Sequence, residues 1–290
     1  MEKTIRINVL AYNEEHYIKD CLDSLKAALT NLKDINAQVN VIANGCTDNT
    51  FKVAEAYCCS IPSWSAFNLT LGDKANAWNF AINFSSVTDH LTIFIDGDCA
   101  LDPNSIQSIL DTYESSPDSY IIAGIPKTIG RTTDEIASRT IKGEALSGAL
   151  YALTTNFISK ISELNFRLPV GLIGDDSLLA WVATHQFKLS NGSQKGFLIG
   201  SKGADFYYHR LTPDSINNIK LYLRRLQRYS LRHLQQKGIR EHLNIHDDFE
   251  TIPHDIRGIH NNIKFSHLRL NSLNGPFDLF NYLKIKLSLQ

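Results

Sequence analysis

Through its first 126 residues the chain alternates β-rich runs with segments of helical period, and this alternation constrains its fold more than any other feature. "IRINVLA" reads as a buried strand. Residues 15–32 then place Tyr17, Ile18, Cys21, Leu22, Leu25, Leu29 and Leu32 at three- and four-residue spacing, which makes one apolar helix face. "QVNVIA" is a second strand and "DNTFKVAEAYC" a second helix. "AFNLTL" and "HLTIFI" are further strands, separated by the helical "KANAWNFAINF". Asp102 and Pro103 supply an N-cap and a first-turn proline for another helix, and "YIIAGI" closes this half. Such succession implies βαβ units and an α/β fold with a largely parallel sheet.

From 127 to 211 the pattern loosens. "LSGALYAL" is helix or strand by period alone, "DSLLAWVATHQ" reads as helix, and "GFLIG" and "DFYYH" read as two strands. Thr212 and Pro213 open a helix running to about Gln236, and residues 238–290, rich in His, Asn and Lys, form a small helical extension. The expected division is a domain over 1–211, in halves 1–126 and 127–211, followed by a C-terminal helical extension over 212–290. A net charge of −1 gives no basic balance of the kind nucleic-acid binders show, so no nucleic-acid partner is expected. No apolar run approaches the roughly 20 residues that span a bilayer, and the N-terminus lacks an apolar signal core, so the expected residence is cytoplasmic. Five cysteines without a C-x-x-C pair predict neither a disulfide framework nor a structural zinc site.

Three strand ends carry chemistry. In "TIFIDGDCALDP" an apolar strand ends in Asp96 and Asp98, and strand alternation sends both side chains to one face. Two convergent carboxylates suit a hard divalent ion able to bridge a diphosphate; the alternative is a turn that caps the next helix. In "VLAYNEEHY", Tyr12, Asn13 and Glu14 stand at the carboxyl end of a strand, where open α/β sheets bind ligands. Alternatively Asn13 caps a helix whose dipole Glu14 and Glu15 favour. "VIANGCTDNT" ends in a polar turn with Asn44, Gly45, Thr47 and Asp48, or in a loop with Asp48 as N-cap.

Over roughly residues 4–232 these segments resemble the family 2 glycosyltransferases of GT-A fold. "LAYNEE", "NGCTDNT", "GDKANAWN" and Asp96-x-Asp98 match that family's motifs in order, with Asn44 where the family usually has aspartate. The resemblance implies a Rossmann-like, mostly parallel mixed sheet flanked by helices. It implies that Ala11, Tyr12, Asn13, Glu14 and Asn44 hold the nucleoside, that Lys74 lies near the donor, and that Asp96, followed by Gly97, contacts ribose or pyranose. Asp98, with Asp96, would coordinate Mn²⁺ or Mg²⁺. "LPVGLIGDDSLLAW" matches the later acidic motif, making Asp176 the acceptor-activating base beside Asp175, whose like charge raises its neighbour's pKa. "RLQRY" resembles a Gln/Arg-x-x-Arg-Trp element through Arg225, Arg228 and Tyr229, and would put cations at the diphosphate. Lys220, Arg224, Arg228 and Arg232 form a basic stripe, whose plain alternative is a solvated helix face. His209 stands where relatives carry a histidine that reaches metal or phosphate.

The implied activity is transfer of a sugar, with inversion, from a nucleotide-diphosphate donor, expected to be a UDP-sugar. The acceptor hydroxyl belongs to a glycan, a lipid-linked molecule or a small molecule. Two competitors are a haloacid-dehalogenase-like phosphatase with Asp96 as nucleophile and a non-catalytic sugar-nucleotide or glycan binding module. Ala100 stands where the former needs Thr or Val, and the intact acidic set argues against the latter. The tail "PFDLFNYLKIKLSL" and the basic helix are open to peripheral contact with anionic lipid at the inner membrane face; the alternative is a helix docked on the core.

Overall fold

The computed structural model describes residues 3–30, 32–127, 131–208 and 216–287, with the backbone alone at 131, 132 and 216–220. Its first half follows the expected alternation: β1 (Lys3–Ala11), α1 (Ile18–Thr30), β2 (Ile35–Asn44), α2 (Thr50–Cys58), β3 (Trp64–Leu69), α3 (Lys74–Ile82) and β4 (Leu91–Asp96). There follow β5 (Cys99–Leu101), α4 (Ser105–Ser115), β6 (Ile121–Pro126), α5 (Arg131–Ile141), β7 (Leu150–Thr154), α6 (Thr155–Glu163), α7 (Asp175–Thr184) and β8 (Leu198–Tyr208). The chain then forms α8 (Ile216–His246), several 3₁₀ turns and α9 (Gly275–Leu287). The eight strands make one mixed sheet in the order β3-β2-β1-β4-β7-β6-β8-β5. β3, β2, β1 and β4 run parallel, whereas β7 is antiparallel to both β4 and β6.

Strand alternation sorts side chains onto the two faces. Ile5, Ile7, Val9 and Ala11 of β1 join α1, α2 and α4 in one core, while Leu10 joins α3, α6, α7 and α8 in the other. Asn8 on the buried sheet pairs with Asn40 directly across the strand, Asn40 Nδ2 donating to Asn8 Oδ1 at 3.0 Å. In the second core Phe94 stacks between Trp78 and Tyr151, with centroids 5.8 and 5.2 Å away. All three rings are fully buried.

Several expectations shift. The second half of "LSGALYAL", from Leu150, lies in β7, because its neighbours β4 and β6 supply two ladders that a period cannot reveal. Residues 198–200 of "GFLIG" and 205–208 of "DFYYH" belong to one strand, β8, whose register against β6 jumps between Ala123 and Ile125 and so leaves a bulge. α4 begins at Ser105, not after Asp102; Asp102 instead accepts the Asn104 N–H in a turn. Asp48 likewise precedes the N-cap Asn49 and accepts from the Thr50 N–H and hydroxyl. α8 runs ten residues past Gln236; Thr212 and Pro213 lie outside the described residues. No described helix is long and apolar enough to cross a membrane.

α9 docks on α8 by its inner face: Asn281 donates to Gln227 O and Ser230 Oγ, and Ile285 joins Leu234 and Ile263. Asp278, wholly buried in α9, receives two bonds from the Arg269 guanidinium and one from the Arg269 N–H. Burial opposes the charge, but these donors hold the Asp278 carboxyl down at about 2. Arg269→Met therefore strands a buried carboxylate and is expected to lower the unfolding free energy by roughly 3–5 kcal/mol in urea denaturation near neutral pH. The wild-type carboxyl stays ionised down to about 2, whereas burial without the arginine raises it in the variant, so the difference is full near neutral pH and shrinks as pH falls toward 2.

Candidate active site

Because β2, β1 and β4 are parallel, Asn44, Ala11 and Asp96 end at the same edge of the sheet. β7 enters from that edge, its preceding Ala149 O accepting the Asp96 N–H at 2.9 Å. Gly97 turns the chain beneath β1: a Cβ there would stand 2.8 Å from Ala11 Cβ and 3.2 Å from Ile18 Cδ1. Asp98 follows in the turn between β4 and β5, so it is this turn, and not strand alternation, that brings Asp96 and Asp98 to one cavity. Ala11 is buried under Gly97 and serves as its floor.

The β1–α1 and β2–α2 loops are stapled together. Asn13, at φ +56°, accepts from Thr47 N and Thr47 Oγ1, so it neither caps α1 nor lines the cavity. Asp48 accepts the Glu15 N–H, and Glu15 accepts the Asn49 N–H. This lattice points Tyr12 and Glu14 into a cavity of about 550 Å³ that Asn44, Lys74, Asp96, Asp98 and Arg228 also line. Asn44 is buried, its Nδ2 donating to Ala11 O while its Oδ1 has no partner among the described residues.

Lys74 begins α3 and sits at the centre of the charges. Its Nζ lies 2.7 Å from Asp96 Oδ1, 3.7 Å from Asp175 Oδ2 and 3.3 Å from Gly148 O. Burial opposes its charge, but Asp175 and Asp96 outweigh burial and hold its pKa above the ordinary range. Burial raises Asp96 to about 7 against the pull of Lys74. Burial also raises Glu14, to about 8, with Asp98, Asp96 and Asp48 adding their repulsion. Asp73 caps α3 through the Asn76 N–H and reaches across with its other oxygen to accept the Gly171 N–H.

That second bond helps place the loop before α7. Gln235 of α8, nearly fully buried, accepts the Ile173 N–H and donates to Gly171 O. Gly174, at φ +97°, is the N-cap of α7, so Asp175 and Asp176 occupy its first turn rather than capping it. Asp175 turns inward to Lys74, whereas Asp176 meets Arg232 of α8 at 3.0 Å. Burial, then Asp175, raises the Asp176 pKa, while Arg232 and Lys74 pull it back.

A second cavity of about 400 Å³ adjoins the first across Lys74 and Asp96; Asp98 and Asp176 both line it, with Arg225, Arg228, Tyr229 and Arg232. Of the basic stripe, Arg224 is exposed, and the Lys220 side chain lies outside the described residues, as does His209. Arg232, Asp73 and Gln235 were given no role from sequence. Asp73 directly before a helical run was a readable cap signal, but the Arg232 and Gln235 contacts span 50 residues or more and leave no local mark.

Among the described residues no group of three or more His, Cys, Asp or Glu forms a ready-made metal cage. The donor chemistry nonetheless fits a hard divalent cation. Among the described residues Asp98 carries only a thiol contact, from Cys99 Sγ at 3.5 Å, and faces a cavity in which burial, and then neighbouring negative charge, pushes Glu14 and Asp96 up. One free carboxylate, diphosphate oxygens and water make an adequate oxygen set for such an ion.

The model of glycosyl transferase family 2 matches residues 7–170. The chain belongs to that family. It is a glycosyltransferase, and the phosphatase reading of Asp96 falls with this result. The mannosyltransferase PcManGT from Pyrobaculum calidifontis, solved with GDP-Man and Mn²⁺, is similar with TM-score 0.59 at 16% identity, over 99% of this chain and 80% of that one. S. aureus TarS 1–349 with UDP-GlcNAc gives 0.53 at 15% identity, over 99% and 91%. Glucosyl-3-phosphoglycerate synthase from Mycobacterium tuberculosis, with Mn²⁺, UDP-Glc and phosphoglyceric acid, gives 0.50 at 17% identity, over 78% and 79%. The shared architecture is the GT-A fold. No curated protein matches the chain in sequence.

Gly97→Ala tests the close packing of the glycosyltransferase's acidic turn. The added methyl overlaps Ala11, so the change is expected to cost about 1–3 kcal/mol in chemical denaturation and to weaken nucleotide-sugar binding in calorimetry.

Proposed function

We propose that the enzyme transfers a sugar from a UDP-sugar to an acceptor hydroxyl in one inverting displacement, with a divalent metal held by Asp98 and the donor diphosphate. The observation that carries this reading is that Asp98 and Asp176 line one cavity with Lys74 between the two acidic groups. The complexes of TarS with UDP-GlcNAc and of the mycobacterial synthase with Mn²⁺ and UDP-Glc lend it support.

In this reading the unpartnered Asn44 Oδ1 accepts an N–H from the base, and Tyr12 flanks the nucleoside. Lys74 pulls Asp96 toward its ionised form, against burial, where it meets the donor's hydroxyls. Asp176 takes the acceptor's proton as its oxygen attacks the anomeric carbon, and the bonding pair leaves with the nucleotide diphosphate. Arg225 and Arg228, which line the cavity without partners among the described residues, balance charge on the departing phosphate. When bound, Mn²⁺ or Mg²⁺ would neutralise charge on the same diphosphate. The division at residue 211, a cytoplasmic location and His209 as a further ligand belong to the same proposal.

A lipid-linked acceptor is favoured by the outer face of α9. Leu279, Phe280, Leu283 and Leu287 are exposed there at helical spacing, beside Lys284 and with no exposed acid on the helix, a pattern suited to an anionic lipid surface. The protein is expected to sediment with phosphatidylglycerol-containing vesicles but not with neutral ones, and Leu283→Glu to abolish this; sedimentation with neither removes the lipid contact.

Asp176→Asn is expected to lower turnover by about 10²–10⁴-fold while leaving donor affinity nearly intact, by transfer assay and calorimetry. A rate near wild type would remove Asp176 from the role. Excess chelator, or Asp98→Asn, is expected to weaken both UDP-sugar binding and turnover; full activity in chelator contradicts the metal.

A further inference from the structure

The two oxygens of Asp176 are not equivalent. Oδ1 accepts the Ser177 N–H at 2.8 Å and a guanidinium N–H of Arg232 at 3.0 Å. The same Arg232 nitrogen also donates to Ser177 Oγ, so guanidinium, hydroxyl and carboxylate form one closed set. Oδ2 accepts from no described residue, and Asp176 lies where the 400 Å³ cavity meets a further cavity of about 490 Å³. One oxygen is thus tied down and the other is left for a ligand.

The route Arg232 takes to this carboxylate is built into the backbone. It reaches past Gly174, where a Cβ would stand 2.5 Å from its Nε and 2.9 Å from its Cδ. Glycine at 174 therefore meets two needs at once: the left-handed φ of +97° that begins α7 and the passage for the arginine stem. One turn further along α8, Gln235 bonds to the Gly171 and Ile173 backbone. The loop before α7 is already joined to α8 by those two bonds, so joining helix to loop is not what Arg232 adds. α8 itself is held from behind by Asn281 of α9 at Ser230. Among the described residues Arg225 and Arg228, on the same helix and lining the same cavity, make no comparable bond, so the contact with Asp176 is particular to Arg232 there.

We propose that Arg232 is a positioning residue for glycosyl transfer: by fixing Oδ1 of Asp176 it presents Oδ2 as the oxygen that receives the acceptor's proton. This rests on the reading of Asp176 as the base. An unclamped aspartate at a helix start samples several χ angles, and misplacing a reacting group by about 1 Å can cost roughly 10²-fold in rate. The guanidinium has a second effect. Asp176 faces Asp175 on its own helix, Lys74 from α3 and Arg232 from α8, while Asp96, Asp98, Arg225 and Arg228 share its cavity. Burial and Asp175 favour the protonated acid, which is no base; Arg232 is the largest influence the other way. Taking Arg232 away raises the pKa of Asp176, so the acidic limb of the pH–rate profile moves to higher pH.

The test compares R232M, R232K and D176N in the full-length enzyme with UDP-sugar and an accepted acceptor. In R232M, kcat is expected to fall roughly 10- to 100-fold at neutral pH, with donor affinity by calorimetry within about threefold of wild type. Its acidic limb in kcat/KM should move up by about one pH unit. R232K, which keeps the charge, should return the limb close to its wild-type position and recover part of kcat; a merely structural arginine would leave the limb where it was. A dead D176N beside an R232M with wild-type kcat and limb overturns this proposal and leaves the base intact. A D176N of near-wild-type rate fails the base reading itself. Should R232M not fold, R232Q keeps length and a donor without charge, and an unmoved acidic limb in R232Q overturns the proposal.

Discussion

Lys74 is the charge on which the rest of the site depends. Asp96 and Asp175 come from different parts of the fold, β4 and α7, and both are drawn to one ammonium at 2.7 and 3.7 Å. Burial disfavours the charge of Asp96, and Lys74 is the ion-pair partner that opposes burial there. Lys74 also contacts Gly148 O, just ahead of β7, and Asp175 of α7, so a single side chain joins α3, β4, the approach to β7 and α7. Beneath it, Trp78, Phe94 and Tyr151 fill the space between α3, β4 and β7 and give the cluster a rigid floor.

What was legible in the sequence follows from what is local. Periodicity located β1 to β4 and the helices between them because each element carries its own apolar pattern. Parallel order then put Ala11, Asn44 and Asp96 at one edge, as expected for the carboxyl ends of strands in open α/β sheets. The partner of the Asn13 side chain was not legible for a related reason. That side chain answers to Thr47 in the next loop, a partner 34 residues away that no spacing rule reaches. Asp96 and Asp98 do share a cavity, but through a glycine turn whose tightness comes from Ala11 below it. The second half was harder to read because its strands take non-sequential neighbours: β7 lies between β4 and β6, and β8 carries an irregular register against β6.

The same limit explains the arginine-rich helix. Read as a stripe, Lys220, Arg224, Arg228 and Arg232 look equivalent, since a four-residue step repeats one helix face. A long helix crossing a concave site breaks that equivalence, because each turn meets a different part of the wall. Arg224 points to solvent, Arg228 lines the cavity that Asp98 also lines, and Arg232 reaches Asp176. Sequence period predicts the face and the charge, but the division of labour along the face is set by tertiary packing.

The pair Asp175 and Asp176 shows how neighbouring identical residues acquire different chemistry. Successive residues on an α-helix are about 100° apart, so two carboxylates in a first turn meet different partners even where both line one cavity. Asp175 is 7% exposed and directed at Lys74, where it supports the cluster. Asp176 faces the cavity with one oxygen clamped and the other open. The positive end of the α7 dipole favours both charges, yet burial and mutual repulsion work against them. The balance is local: Lys74 offsets the inner carboxylate, and Arg232, carried in by α8, offsets the outer one. Two identical residues at a helix start thereby come to face different partners without any change in residue type.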